Sequence, residues 1–117
     1  MEPLYELQAE ILKTLAHPRR LQIAHELAVA PRTVGRLAAE LGLAQPNVSQ
    51  HLAVMRSSGV VVAEREGRET RYRISDPDII TACGLMRQAL DRRLARLRDL
   101  SASTPISPVP SLTTGHS

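Results

Sequence analysis

The run Gln45-Pro46-Asn47-Val48-Ser49-Gln50-His51-Leu52 holds the side chains best suited to recognition chemistry in this chain. Gln and Asn each present a donor and an acceptor in one planar amide, a match for the edge of adenine, and Ser bonds either a base or a phosphate. On a helix turning about 100° per residue, Val48, Leu52 and Met55 share one side while Asn47, Ser49 and Gln50 spread over the rest. Gln45 and Pro46 stand at the N-terminal tip. An ordinary solvated polar face would show the same residues. His51 borders the apolar side beside Val48 and Met55, which predicts a histidine packed structurally against a helix pair. A base contact is the second reading of His51.

Arg65, Arg68 and Arg71 form a second cluster, interleaved with Glu64, Glu66 and Glu69. Arg offers a fork that fits phosphate, so the cluster suits phosphate or minor-groove contact, with Arg68 best placed. The competing reading pairs these charges across two strands of a solvated hairpin. Arg56 is a further phosphate candidate, and helix N-termini, including that of the second helix with Arg19 and Arg20, could add backbone contacts.

The surrounding composition narrows the partners. The chain has 117 residues and a formal charge of +3, and residues 31–75, with seven Arg against four Glu, hold a surplus of that size. Lys13 is the only lysine, an Arg bias that fits nucleic-acid binding and equally fits codon bias in a GC-rich genome. Tyr5 and Tyr72 are the only aromatics, too few for a base-stacking platform or a cation cage. One Cys excludes an internal disulfide framework and a Cys-based zinc finger. No apolar run approaches the roughly 18 residues of a membrane span, and the acidic N-terminus lacks a signal-peptide core, so the cytoplasm is expected. There is no Ser/His/Asp arrangement, paired carboxylates or Gly-rich phosphate loop, so neither an enzyme nor a cofactor is expected.

The elements that must position these residues are legible from periodicity. Leu4, Leu7, Ile11, Leu12 and Leu15 recur at helical spacing. His17-Pro18 breaks that helix, and Pro18 opens a second one with Leu21, Ile23, Ala24 and Leu27 on its apolar side. Thr33 is a good N-cap for a third helix, with Val34, Leu37, Ala38 and Leu41 inward and Gly42 at its stop. A short turn leads to the Gln45-Pro46 helix, which ends at Ser57-Ser58-Gly59, so the pair reads as a helix-turn-helix.

The period then shortens to two. Val60 to Arg65 and Arg71 to Ile74, joined through Glu66-Gly67-Arg68-Glu69, predict a β-hairpin. Asp76-Pro77-Asp78 starts a last helix of some six turns, roughly 33 Å at 1.5 Å per residue, with the stripe Ile79, Cys83, Met86, Leu90, Leu94 and Leu97 along it. A stripe this long on so small a domain predicts packing on a second subunit, with Leu4, Leu7, Ile11, Ile79, Cys83, Met86, Leu90 and Leu94 at the seam. Residues 1–100 are read as one domain, mainly α with a small hairpin, and 101–117, rich in Ser, Thr and Pro without a charge, as a disordered tail.

Leu15-Ala16-His17-Pro18-Arg19-Arg20-Leu21, Val34-Gly35-Arg36-Leu37-Ala38, Gln45 through Leu52, and Gly67-Arg68-Glu69-Thr70-Arg71-Tyr72 together resemble the ArsR/SmtB family of small bacterial transcriptional repressors. The resemblance covers about residues 5–95. It implies a winged helix-turn-helix that dimerises through its first and last helices and binds double-stranded inverted-repeat operator DNA until a signal releases it. In that frame Gln45, Pro46, Asn47, Ser49, Gln50, Arg56, Arg65, Arg68 and Arg71 are the expected DNA contacts. A winged-helix protein-interaction module without specific DNA binding is the alternative.

Two metal sites of the family have counterparts here without ligands. The Cys-x-Cys positions read Thr33-Val34-Gly35, and the last-helix positions read Asp76-x-Asp78, Ala89 and Arg92, so no metal is expected at either. Cys83 is expected to be a small buried hydrophobe, with a thiol sensor as the sharper alternative.

Overall fold

The computed structural model describes residues 2–103. Among them, α1 (Pro3–Leu15), α2 (Pro18–Val29), β1 (Arg32–Thr33), α3 (Val34–Leu41), α4 (Gln45–Ser57), β2 (Val61–Glu66), β3 (Glu69–Ile74) and α5 (Pro77–Ser103) follow in order. They fall into two units: residues up to Ile80, and the stretch from Thr81 onward that continues α5.

Local chemistry sets most boundaries in the first unit. α1, α2 and α4 each carry Pro in the first turn, where its missing N–H costs nothing and its fixed φ suits a helix. The Arg19 amide donates to His17 Nδ1 at 3.2 Å, and the Arg36 amide to Thr33 Oγ1 at 3.2 Å, capping α2 and α3. α4 closes with paired bonds: the Gly59 N–H donates to the Arg56 carbonyl at 3.1 Å and the Val60 N–H to Met55 at 2.9 Å. Gly59 sits at φ +86°, the left-handed conformation this closure requires. Met55 and Val60, joined by that backbone bond, are both fully buried.

The core contains no aromatic ring. Leu15 of α1, Ile23, Ala24 and Leu27 of α2, Leu37 and Ala38 of α3, Val48, Leu52 and Met55 of α4, and Val60 and Val61 at the start of the hairpin are all buried. Each large member contributes about 1.5–3 kcal/mol through burial.

β2 and β3 form an antiparallel hairpin in the register Val61↔Ile74 through Glu66↔Glu69. Its two-residue turn places Gly67 at φ +62° and gives Arg68 no positive φ, the signs of a type II′ turn. β1 adds to the other edge of β3, with Arg32 opposite Tyr72 and Thr33 opposite Arg71, so the sheet order is β1-β3-β2.

Four sequence expectations are corrected here. Leu21 is exposed: two positions before Ile23 lies about 160° around the helix, away from the core side. Val34 and Leu41 are half-buried rather than inward. The third strand, β1, lies outside the expected elements; at two residues it has no periodicity to read, and Thr33 serves both strand and cap. Finally, α5 continues past residue 100 to Ser103, because nothing from Arg98 to Ser103 is a Gly or Pro that would stop it. The rest of the expected tail, residues 104–117, lies outside the described residues.

Candidate nucleic-acid interface

α3, a turn at Gly42-Leu43-Ala44 and α4 form the helix-turn-helix. The Leu43 N–H donates to the Ala38 carbonyl at 3.0 Å, holding the turn against α3. Val48, Leu52 and Met55 have no accessible surface, so one side of α4 is wholly committed to the core. The opposite side is free. Gln45, Pro46, Asn47, Ser49, Gln50 and Arg56 are all exposed, and none makes a side-chain hydrogen bond or ion pair among the described residues. At the tip of α4, Ala44 caps without a side-chain hydrogen bond, leaving the positive end of the helix open to an anion. The arrangement can do one thing chemically: present amides and a hydroxyl, in fixed order, to a hydrogen-bonding surface.

The hairpin arginines divide by environment. Arg71 Nε lies 2.8 Å from Glu66 Oε1 and its Nη2 3.7 Å from Glu69 Oε1. Glu66 and Glu69 face each other across the strands, a like-charge pair that Arg71 neutralises. Arg73 pairs with Glu64 at 3.1 Å, and Arg65 Nε donates to the Gly67 carbonyl at 3.3 Å. Arg68, at the exposed tip, has no partner among the described residues. Arg65 and Arg71 are therefore engaged within the hairpin, while Arg68 is free to meet a phosphate.

Several positioning residues escape a reading by spacing alone. Ser75 Oγ bonds the carbonyls of Gly59 at 2.6 Å and Val60 at 3.0 Å, and its N–H donates to Val60. The base of the wing is thereby tied to the end of α4. Arg32 donates to Glu40 Oε1 at 3.0 Å and to the Ala30 carbonyl at 2.9 Å, joining β1 to α3. That hydrogen bond, with the charges of Arg32 and Arg36, outweighs desolvation and holds the Glu40 carboxyl below the usual carboxylate range. Arg20 turns inward: its Nη1 donates to the Thr14 carbonyl at 3.1 Å and its Nε to His51 Nδ1 at 3.3 Å. Arg19 stays exposed beside Gln22. The Ser75–Gly59 and Arg20–His51 contacts join residues 16 and 31 positions apart, and no local pattern announces them.

On α1, Leu4 and Leu7 are exposed and Ile11 is half-buried; on α5, Met86, Leu90 and Leu94 are exposed, while Ile79 and Cys83 are half-buried. Among the described residues no group of three His, Cys, Asp or Glu is placed to hold a metal ion, and no helix is long and apolar enough to cross a membrane.

Residues 17–62 match the model of the bacterial regulatory protein arsR family, from the cap of α2 into β2. Over 106 residues the chain is 45% identical to the HTH-type transcriptional regulator Rv0081 of Mycobacterium tuberculosis, covering 86% of this chain and 93% of the relative. The chain belongs to the arsR family. The crystal structure of that M. tuberculosis protein superposes with a TM-score of 0.71 at 44% identity, over 82% of this chain and 97% of the other. The homodimeric winged helix-turn-helix DNA-binding domain of Mb0332 from Mycobacterium bovis, solved by NMR, is 35% identical with a TM-score of 0.72, over 79% and 85%. This arsR-family chain is thus a transcriptional regulator with a winged helix-turn-helix, and not an enzyme.

Proposed function

We propose that the protein is a homodimeric repressor that binds an inverted-repeat operator in double-stranded DNA. The carrying observation is the exposed, unbonded row Gln45, Asn47, Ser49 and Gln50 on a helix whose other side is fully buried. In this reading α4 enters the major groove tip first, so Gln50 and Asn47 meet base edges. Arg68 reaches a phosphate or the minor groove from the wing, and Arg56 a phosphate near the end of α4. Arg65 and Arg71 chiefly hold the shape of the wing, through Gly67 and through Glu66 and Glu69. A second copy covers the apolar residues of α1 and α5, which sets two recognition helices on successive turns of one DNA face. The protein works in the cytoplasm, beside its DNA.

The two arginine classes give a direct test by anisotropy titration of upstream DNA over a range of salt concentrations. Arg68→Ala should make the plot of log affinity against log salt shallower by about one, the loss of one phosphate contact. Arg71→Ala leaves Glu66 and Glu69 facing each other unneutralised, and should weaken binding while changing the slope less. Equal slopes for the wild type and Arg68→Ala remove Arg68 from the interface. No DNA binding by any of the three proteins would favour a protein-interaction module.

A further inference from the structure

His17, Arg20 and His51 form a connected cluster between the α1–α2 turn, α2 and α4. Arg20 spans it, with Nη1 on the Thr14 carbonyl at the end of α1 and Nε on His51 Nδ1. The rings of His17 and His51 meet edge to face with centroids 4.7 Å apart. His17 Nδ1 in turn accepts from the Arg19 amide. His51 sits on α4 next to Gln50, so the cluster grips the helix that carries the proposed base contacts.

Its chemistry dictates a protonation state. A guanidinium N–H and a peptide N–H can only donate, so both Nδ1 atoms must be bare acceptors. Both rings are then neutral, with the proton on Nε2. A proton arriving at His51 Nδ1 would convert the acceptor into a second donor and set two cations against each other. The charges acting on His51 are positive: Arg20 and Arg19 from α2, joined by His17 from the turn once that ring itself takes a proton. Other charged groups nearby offer no relief. On α1, Glu10 lines a groove beside Ala53 and Val54 instead, and on α3, Glu40 is held by Arg32 and Arg36. The remaining charge on α4 is Arg56, exposed and also positive, and the charges of β2 (Glu64, Arg65 and Glu66) lie on its exposed wing half. Burial, then His17, Arg20 and Arg19, push His51 below the usual histidine range.

We propose that Arg20 and His51 are positioning residues for DNA recognition: the clamp sets α4 against α2 only while His51 is neutral, so acidification loosens the recognition helix and releases DNA. The proposal rests on the operator-binding reading above. Linkage fixes the sign. The unfolded chain takes up the proton near the ordinary value of about 6.5, and the folded clamp resists it. The clamp's contribution is therefore complete above that pH and disappears as pH falls through the lower folded-state value.

The test is operator affinity by anisotropy from about pH 8 to about pH 5.5 at constant salt, for the wild type, His51→Gln and Arg20→Lys. Gln can accept from Arg20 Nε and never charges. Wild-type affinity should fall severalfold across the range, by less than about tenfold, while His51→Gln should bind at high pH and change less than about twofold. Arg20→Lys, a point donor that cannot span both partners, should weaken binding at every pH. His17, His25 and His116 remain in all three proteins, so the difference between wild type and His51→Gln reports the loss of the His51 ring. A wild-type profile that is flat, that rises on acidification, or that matches His51→Gln overturns the clamp.

Nuclear magnetic resonance of the free wild-type protein separates this from failure of the DNA reading, and also serves if His51→Gln does not fold. The His51 ring should titrate below the ordinary range in step with amide shifts at Asn47 to Gln50. Titration at or above that range, or without those shifts, overturns the proposal even where no DNA binds.

Discussion

Leu90→Arg should convert the protein to a monomer and weaken its operator binding at least about a hundredfold, the gain that joining two modest half-site contacts provides. The stripe Ile79, Cys83, Met86, Leu90, Leu94 and Leu97 falls within about 80° of the α5 circumference at 100° per residue. Met86, Leu90 and Leu94 are 59%, 50% and 40% exposed in the single chain. A contiguous apolar face of this kind on a charged helix marks an interface. Leu90 stands mid-stripe, where a guanidinium would have to be buried without a partner. Leu85, 60% exposed on the same helix, lies about 140° from Leu90 around the axis and supplies the control. Leu85→Arg should remain a dimer with operator affinity close to wild type. Size-exclusion chromatography with light scattering, alongside DNA titration, reads both variants. A dimeric Leu90→Arg with unchanged affinity would remove α5 from the proposed seam.

The second large effect is on folding. Leu52 has no accessible surface, and its neighbours Val48 and Met55 are equally buried, so Leu52→Ala opens a cavity at the back of the recognition helix. The expected cost is about 2–5 kcal/mol, a fall in Tm on the order of 10–20 °C for a domain of this size. Val54, one turn from Ser57 and 41% exposed, should tolerate Ala within about 0.5 kcal/mol. Thermal denaturation followed by circular dichroism compares the two. A Leu52→Ala variant melting within a few degrees of wild type would contradict the core assigned here.

What the sequence discloses about this fold tracks the range of each interaction. The cap at Thr33, the Pro-led starts of α2 and α4 and the closure at Gly59 are local, and their residue types announce them. Asn47, Ser49 and Gln50 could be placed outward because Val48, Leu52 and Met55 fix the opposite side of a regular helix. The division among the wing arginines was not legible. Which of Arg65, Arg68 and Arg71 is free depends on strand register, and a one-residue slip would exchange their partners. β1 pairs with a strand far along the chain, and Arg20 reaches His51 across 31 positions, so neither leaves a periodic trace. Leu21 shows the converse error, an apolar residue counted with the core although its angle turns it to solvent.

In the proposed function, the outer side of α4 reads sequence in duplex DNA. Fluorescence anisotropy at about 0.15 M salt, comparing DNA from upstream of the protein's own gene with a scrambled duplex of equal composition, tests it most directly. The expected result is binding at least about a thousandfold tighter to the upstream DNA, reduced toward the scrambled value by Gln50→Ala combined with Asn47→Ala. Equal, weak binding to both duplexes, unaffected by that double substitution, would contradict it.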